Sequence, residues 1–277
     1  MTTPSGRILM LFDNMNRDYV SRLHSGASRE AGAAGLQLQM ENIHATDRKA
    51  ESLLDDPAIA GVILTAPLCD DRHVMLQVEK RELPFARIAS MLNPDRGINV
   101  AMDEYDAARS VTALLLEAGH RRVGIIRGPR SHLSSMRRYN GFTAALGSKG
   151  VKLDPSLVAE GDYTRVGGAE AGAKLLTARP TAIFASNDAM AAGLADAARK
   201  AGLSLPRDLS IVRFDDDPIA KSMHPPLTSV RQQLEEMGAA ACKLLAERVA
   251  GRGAGKAHTD VPFALVERAS IVPPAAS

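Results

Sequence analysis

A chain of 277 residues is long for one hydrophobic core and suits two. Its 45% hydrophobic and 24% charged residues are those of an ordinary globular protein, which argues against long disorder, and a net charge of +2 is too small to imply a nucleic-acid-binding surface by itself. With no Trp, four Tyr and six Phe there is no aromatic ladder for single strands. Cys69 and Cys242 have no metal-type spacing and cannot build a disulfide framework, which fits a reducing compartment. The apolar run Ile8–Phe12 is far too short for a signal-peptide core or a membrane span, and Asp13 stops it. The expectation is a cytoplasmic protein with no membrane partner.

In chain order, Arg7–Phe12 reads as a buried strand, and Val20, Leu23, Ala27, Ala31 and Ala34 then repeat at helical spacing before Gly35. Leu36–Met40 is a second strand, Asp47–Leu54 a short helix and Gly61–Leu64 a third strand. Asp70–Lys80 reads as helix, followed by strands at Phe85–Ala89 and Ile98–Val100. The continuous apolar character of several strands predicts a parallel sheet covered on both faces. The pattern then restarts. Helix Asp103–Ala118 ends at Gly119, strand Arg122–Arg127 follows, and helices are expected at Ser135–Lys149 and Val166–Thr177. Strand Ala182–Ala185, helix Asp188–Ala201 with its stop at Gly202, and strand Ser210–Phe214 complete this second series. The two series open with similar strands, Arg-Ile-Leu-Met-Leu and Arg-Val-Gly-Ile-Ile, a weak repeat that points to two similar lobes. Gln232–Val249 is a further helix, Gly251–Gly255 a loop and Val261–Val266 a last strand, so the chain is expected to return to the first lobe.

Ligands of open α/β sheets sit beyond the carboxyl ends of the strands, where this chain concentrates polar groups. Asp13, Asn14, Asn16, Asp18 and Tyr19 follow the first strand, and Arg127, Arg130, Ser131, His132, Ser134, Arg137 and Arg138 follow Ile126. Ser186, Asn187 and Asp188 follow Ala185, Arg213 to Asp217 follow Val212, and Tyr163 stands just before a helix. Hydroxyl, amide, carboxylate and guanidinium groups from both halves suit a polyhydroxylated or heteroaromatic ligand. Each also has a plainer reading. Asn187 or Asp188 is a standard helix N-cap, Asp215–Asp217 a solvated turn or a cation site, and His120 a helix-end hydrogen bonder; Arg137 and Arg138 could be one exposed and one paired arginine.

Enzymatic readings do poorly. No G-x-S-x-G, H-E-x-x-H or G-x-G-x-x-G after the first strand is present, so no catalytic residue, metal or cofactor is expected. Gly251-Arg-Gly-Ala-Gly-Lys256 has Ala250 where a phosphate loop needs glycine, has Ala257 in place of Ser/Thr, and leads from a helix to a strand.

Several consecutive motifs carry a family resemblance: Gly119-His-Arg-Arg-Val-Gly-Ile-Ile-Arg-Gly128, Arg138-Tyr-Asn-Gly-Phe142, Pro180-Thr-Ala-Ile-Phe-Ala-Ser-Asn-Asp-Ala-Met-Ala191, Leu205-Pro-Arg-Asp-Leu-Ser-Ile-Val-Arg-Phe-Asp-Asp216 and Pro226-Leu-Thr-Ser-Val-Arg-Gln232. In this order, over about Arg7 to Ser270, the chain resembles the effector-binding core of LacI/GalR-type transcription regulators. The resemblance implies the type I periplasmic-binding-protein fold: two similar Rossmann-like lobes, each a parallel sheet flanked by helices, joined by three crossovers. The lobes are expected at 1–102 plus 230–262 and at 103–229 plus 263–277. It also implies a ligand site made by Tyr19, Asp103, Arg138, Tyr163, Asn187 and Asp215, beside which His132 and Ser134 are further candidates. An aromatic ring suits the C–H face of a sugar, while carboxylate and guanidinium take adjacent hydroxyls.

The implied function is ligand-gated transcription control by a homodimer, with a sugar, sugar acid or phosphosugar as effector and operator DNA held through a headpiece that this chain does not show. Trimming of that headpiece is favoured over its natural absence, and helix Arg72–Lys80 is a candidate dimer surface. The chain departs from the family at Arg213, where Gly is usual, and at Ala89-Ser90, where an acidic residue is common. Arg213 beside Arg127, Arg130, His132 and Arg138 would make the cleft basic, which points to an anionic effector unless Arg213 turns away and pairs with an acid. The rival reading is a transporter's solute-binding protein with the same fold, and a third is a hydrolase or isomerase using Asp215–Asp217.

Overall fold

The computed structural model describes residues 6–14, 16–43, 50–90, 92–93, 95–217, 223–252 and 257–275. The chain divides into two compact units, Met1–Met102 with Gln233–Pro262, and Asp103–Gln232 with Phe263–Ser277, so it passes between them three times.

The first unit holds β1 (Arg7–Phe12), α1 (Arg17–Ala33), β2 (Gln37–Asn42), α2 (Ala50–Leu54), β3 (Ile59–Leu64), α3 (Arg72–Lys80), β4 (Phe85–Ile88), β5 (Ile98–Ala101), α8 (Leu234–Val249) and β11 (Ala257–Asp260). Its six-stranded sheet runs β11-β5-β4-β3-β1-β2, with every pairing parallel. Ile8, Leu9, Met10 and Leu11 are all completely buried, which is why this strand is apolar at consecutive positions: helices cover both faces. The returning helix α8 packs on α1 and across β3, β4 and β5. That contact is close because Gly26 of α1 faces the Glu235 carbonyl and Gly238 of α8 faces the Leu23 carbonyl. Gly35, at φ +72°, ends α1 in a conformation that disfavours any side chain.

The second unit repeats the plan with α4 (Glu104–Glu117), β6 (Val123–Arg127), α5 (Leu133–Ser148), β7 (Val158–Glu160), α6 (Arg165–Leu176), β8 (Ala182–Ala185), α7 (Asp188–Lys200), β9 (Ser210–Asp215), β10 (Thr228–Arg231) and β12 (Ala264–Val266). Its sheet runs β12-β10-β9-β8-β6-β7. All pairings are parallel except β10 with β12, so this sheet is mixed rather than purely parallel as expected.

Other differences from the sequence expectations have local causes. Of the expected last strand 261–266 only 264–266 is strand, β12, which pairs with β10; β11 lies before it and pairs with β5 in the other sheet, and 261–263 connect the two. The expected helix 70–80 is a 3-10 turn at Leu68–Asp70 followed by α3, because the Asp71 side chain accepts the Val74 N–H and starts the α-helix there. β7 and β10 are too short to announce themselves by alternation. Of the helix expected at 47–54, residues 47–49 lie outside the described residues, as does most of the loop expected at 251–255. Among the described residues, no helix is long and apolar enough to cross a membrane.

His120, just before β6, is 1% exposed, with its ring nitrogens 2.9 Å from Thr181 Oγ1 and 3.1 Å from Ser210 Oγ. The Ser210 hydroxyl also accepts the Val272 N–H at 3.1 Å, so the ring ties three segments together. Burial holds this imidazole below its ordinary value of 6.5, partly offset by the Val272 backbone. The unfolded chain therefore takes up the proton more readily, and the stability gained from the neutral ring is complete above pH 6.5 and falls as pH drops below it. Urea unfolding at pH 5 and pH 7.5 checks this: the second unit should be less stable at pH 5, and His120→Gln should shrink that difference.

Candidate functional site

In both sheets the strand order reverses once, between β1 and β3 in the first unit and between β6 and β8 in the second. Such a switch point opens a crevice at the carboxyl ends of the flanking strands. In the second unit those ends carry Arg127 and Ser186, and most of the sequence-predicted polar residues gather around them.

Arg138 on α5 is the centre. It is 6% exposed, its Nη1 donates to the Ser186 carbonyl at 2.5 Å, and its Nη2 donates to Glu104 Oε1 at 2.9 Å. Asp215 Oδ1 lies 3.7 Å from Nη1, and the guanidinium carbon sits 3.8 Å from the centroid of the Phe214 ring. Burial alone would lower the pKa of this guanidinium, but Glu104 and Asp215 outweigh it and hold the pKa above its ordinary value. Asp215 is itself pushed up by burial, opposed by Arg138 and by the Gln232 amide, which donates to Asp215 Oδ1 at 2.6 Å. Burial of the three charges is tolerable because they face one another.

Tyr163, Ser134 and His132 form the adjoining wall. The Tyr163 hydroxyl is 3.4 Å from Ser134 Oγ, and its ring centroid is 5.5 Å from that of His132. Gly128 makes room for this ring, since a Cβ there would fall 2.2 Å from Tyr163 Cζ. Tyr163 has φ +65°, and Asn187 secures it by donating to the Tyr163 carbonyl at 3.0 Å. The same Asn187 side chain accepts the Met190 N–H at 2.9 Å, so it is the N-cap of α7 and a tie to Tyr163 at once. Asp215 and Asp216 also have positive φ, at +97° and +56°. Positive φ at the non-glycine residues Tyr163 and Asp215, both beside Arg138, is the kind of strain that gathers at binding sites.

The remaining predicted residues fall elsewhere. Asp103 is exposed; it caps α4 by accepting the Tyr105 and Asp106 N–H groups, with Arg137 Nη2 3.5 Å away. Tyr19 belongs to the first unit, where it is buried in the first turn of α1 behind the Asn16 cap.

Arg213 corrects the sequence reading. It is completely buried, paired with Asp188 through Nη1 and with Asp216 Oδ1 at 3.1 Å through Nη2. Arg268 Nη1 at 2.7 Å and Arg231 Nε at 2.8 Å also meet Asp216, holding its carboxyl below the usual range despite burial. Asp188 accepts the Asp217 N–H at 2.6 Å. Asp215 to Asp217 are therefore buried and not a solvated turn, and among the described residues no cluster of three metal-ligating side chains exists. Arg130 pairs with Glu160 at 3.0 Å and Arg127 lies over the Tyr139 ring at 4.7 Å. The basic cleft expected from these arginines is not what their side chains form, since Arg138, Arg130 and Arg213 each face a carboxylate.

Sequence reasoning missed Glu104 and Gln232, and it placed Ser186 and Phe214 at strand ends without giving them a part in the site. Glu104 is 3% exposed, and its Oε2 has no hydrogen-bond partner among the described residues; neither has Ser186 Oγ. Glu104 adjoins the singled-out Asp103, but helical sequence position alone does not tell which of the two turns inward.

The family description "periplasmic binding protein-like domain" matches residues 112–271, more than half of the chain. The repressor CytR of Escherichia coli K12 is 34% identical over 195 residues, covering 69% of this chain and 57% of CytR. The regulator MalR of Streptomyces coelicolor is 31% identical, covering 79% of this chain and 65% of MalR. This chain belongs to the LacI/GalR family of transcription regulators. It spans less than two thirds of the length of those relatives. A solved structure of the regulator CelR in complex with cellobiose is 25% identical and superposes with a TM-score of 0.89, covering 95% of this chain and 84% of that one.

Proposed function

We propose that this chain is an effector sensor of a LacI-type regulator and that it takes an uncharged sugar-like ligand at the switch-point residues of its second unit. The observation that carries this reading is Arg138, a buried guanidinium flanked by Glu104, Asp215 and the Ser186 carbonyl, with Tyr163 and Asn187 beside it. Guanidinium, carboxylate and amide groups there supply donors and acceptors suited to hydroxyls, and the Tyr163 ring suits a C–H face. The CelR–cellobiose complex supports a saccharide. With Arg213 committed to Asp188 and Asp216, the argument for an anionic effector loses its distinctive arginine.

Control of DNA would follow if the ligand favours one arrangement of the two units over another in a homodimer attached to operator-binding segments. Only a difference in affinity between the two arrangements can drive such a shift. A thermal-shift and calorimetric panel of neutral monosaccharides, cellobiose and other disaccharides, and nucleosides tests the ligand claim. A true effector at one hundred times its Kd adds about 2.7 kcal/mol of stability. Tyr163→Ala and Asn187→Ala should each weaken the hit at least tenfold. No hit in the panel, or a hit indifferent to both substitutions, would defeat the proposal.

A further inference from the structure

The charge around Arg138 does not balance. Its guanidinium meets two buried carboxylates, Glu104 at 2.9 Å and Asp215 at 3.7 Å, so this shell carries one negative charge in excess. The neighbouring groups do not make up the difference, because the three cations Arg213, Arg231 and Arg268 stand against three buried acids, Asp188, Asp216 and Asp217. One oxygen of the excess carboxylate is also unused: Glu104 Oε1 accepts from Arg138, while the buried Oε2 meets no donor among the described residues. A buried acceptor without a partner is costly, and a ligand hydroxyl or amine would relieve that cost. A ligand carboxylate or phosphate would instead meet an acid that already takes Arg138 Nη2, with only the Nε donor, unpartnered among the described residues, left to receive it.

We infer that Glu104 sets the charge selectivity of this site: by occupying Arg138 and presenting an acceptor without a donor, it admits uncharged or cationic ligands that donate hydrogen bonds and turns anions away. This rests on the effector reading for its location, but not for its test. Gln232 and Ser186 assist, the first by holding Asp215 in place and the second by giving its carbonyl to Arg138.

The test uses inorganic phosphate as probe, with chloride at matched ionic strength as control, on the whole chain by calorimetry and thermal shift. Wild type should bind no phosphate beyond the control. Glu104→Gln, which removes the charge and keeps an acceptor for Arg138 Nη2, should gain phosphate binding at least tenfold, and Glu104→Gln with Arg138→Gln should lose that gain. Glu104→Met serves the same purpose if the glutamine variant does not fold. Phosphate binding by wild type that Arg138→Gln abolishes would overturn the inference, as would a folded Glu104 variant with no gain. The sugar panel can fail while phosphate selectivity behaves as stated, so the two claims fall separately.

Discussion

Arg213→Met should destabilise the second unit by about 3–5 kcal/mol, the cost of leaving buried acids without their cation. Arg213 is completely buried, and its two Nη atoms hold Asp188 and Asp216. Asp216 keeps Arg231 and Arg268, but Asp188 loses the one cation that pairs with it among the described residues, and its neighbours are Asp215 and Asp217. Lysine should rescue little, because one ammonium cannot span two carboxylates as the fork of a guanidinium does. The measurement is urea unfolding with a probe in each unit, since a chain of two units need not unfold in one step. A ligand-facing arginine would behave in the opposite way: its loss would leave stability nearly unchanged and strike affinity for an anion. Arg213→Met with wild-type unfolding would therefore refute the pairing described here.

Gly26→Ala should destabilise the first unit by about 3 kcal/mol, at the upper end of what overpacking usually costs. A Cβ at Gly26 would lie 1.8 Å from the Glu235 carbonyl oxygen and 2.9 Å from the Ala239 nitrogen, both backbone atoms of α8. No rotamer can relieve this, so α1 and α8 must move apart along a contact that Gly238 and the Leu23 carbonyl make equally close. The matched control is Gly32→Ala on the same helix. Gly32 is exposed with nothing within 4 Å of its Cβ position, so alanine there should stabilise by about 0.5–1 kcal/mol through helix propensity. Thermal and urea unfolding of the two variants side by side separates the packing effect from the propensity effect. Equal behaviour of the pair would show that the helices do not meet as closely as described.

Both expected results concern contacts between segments remote in the chain, and they mark where reading from sequence stopped. The apolar runs Ile8–Leu11 and Ile125–Ile126, the helical faces between them and the glycine stops at Gly35 and Gly119 act through neighbours only a few residues away. Local spacing carries that information, so the βα alternation, the two series and the strand-end location of Arg138, Tyr163, Asn187 and Asp215 were legible. The split of 257–266 into β11 and β12 was not, because Ala257–Asp260 and Ala264–Val266 find partners in different sheets, and no local pattern names a partner.

The electrostatics of the site divide in the same way. Sequence by itself determined that arginines and acids would collect at the strand ends, since the order of strands and polar residues is written in the chain. Tertiary structure alone decided which acid neutralises which arginine. Arg213 meets Asp188, 25 residues away, because β8 and β9 pair in parallel, and Arg138 meets Glu104, 34 residues away, because α4 packs on α5. Charge is a property of the residue, but its pairing depends on register and burial, and in a low-dielectric interior that pairing decides whether an arginine greets a ligand or supports the fold.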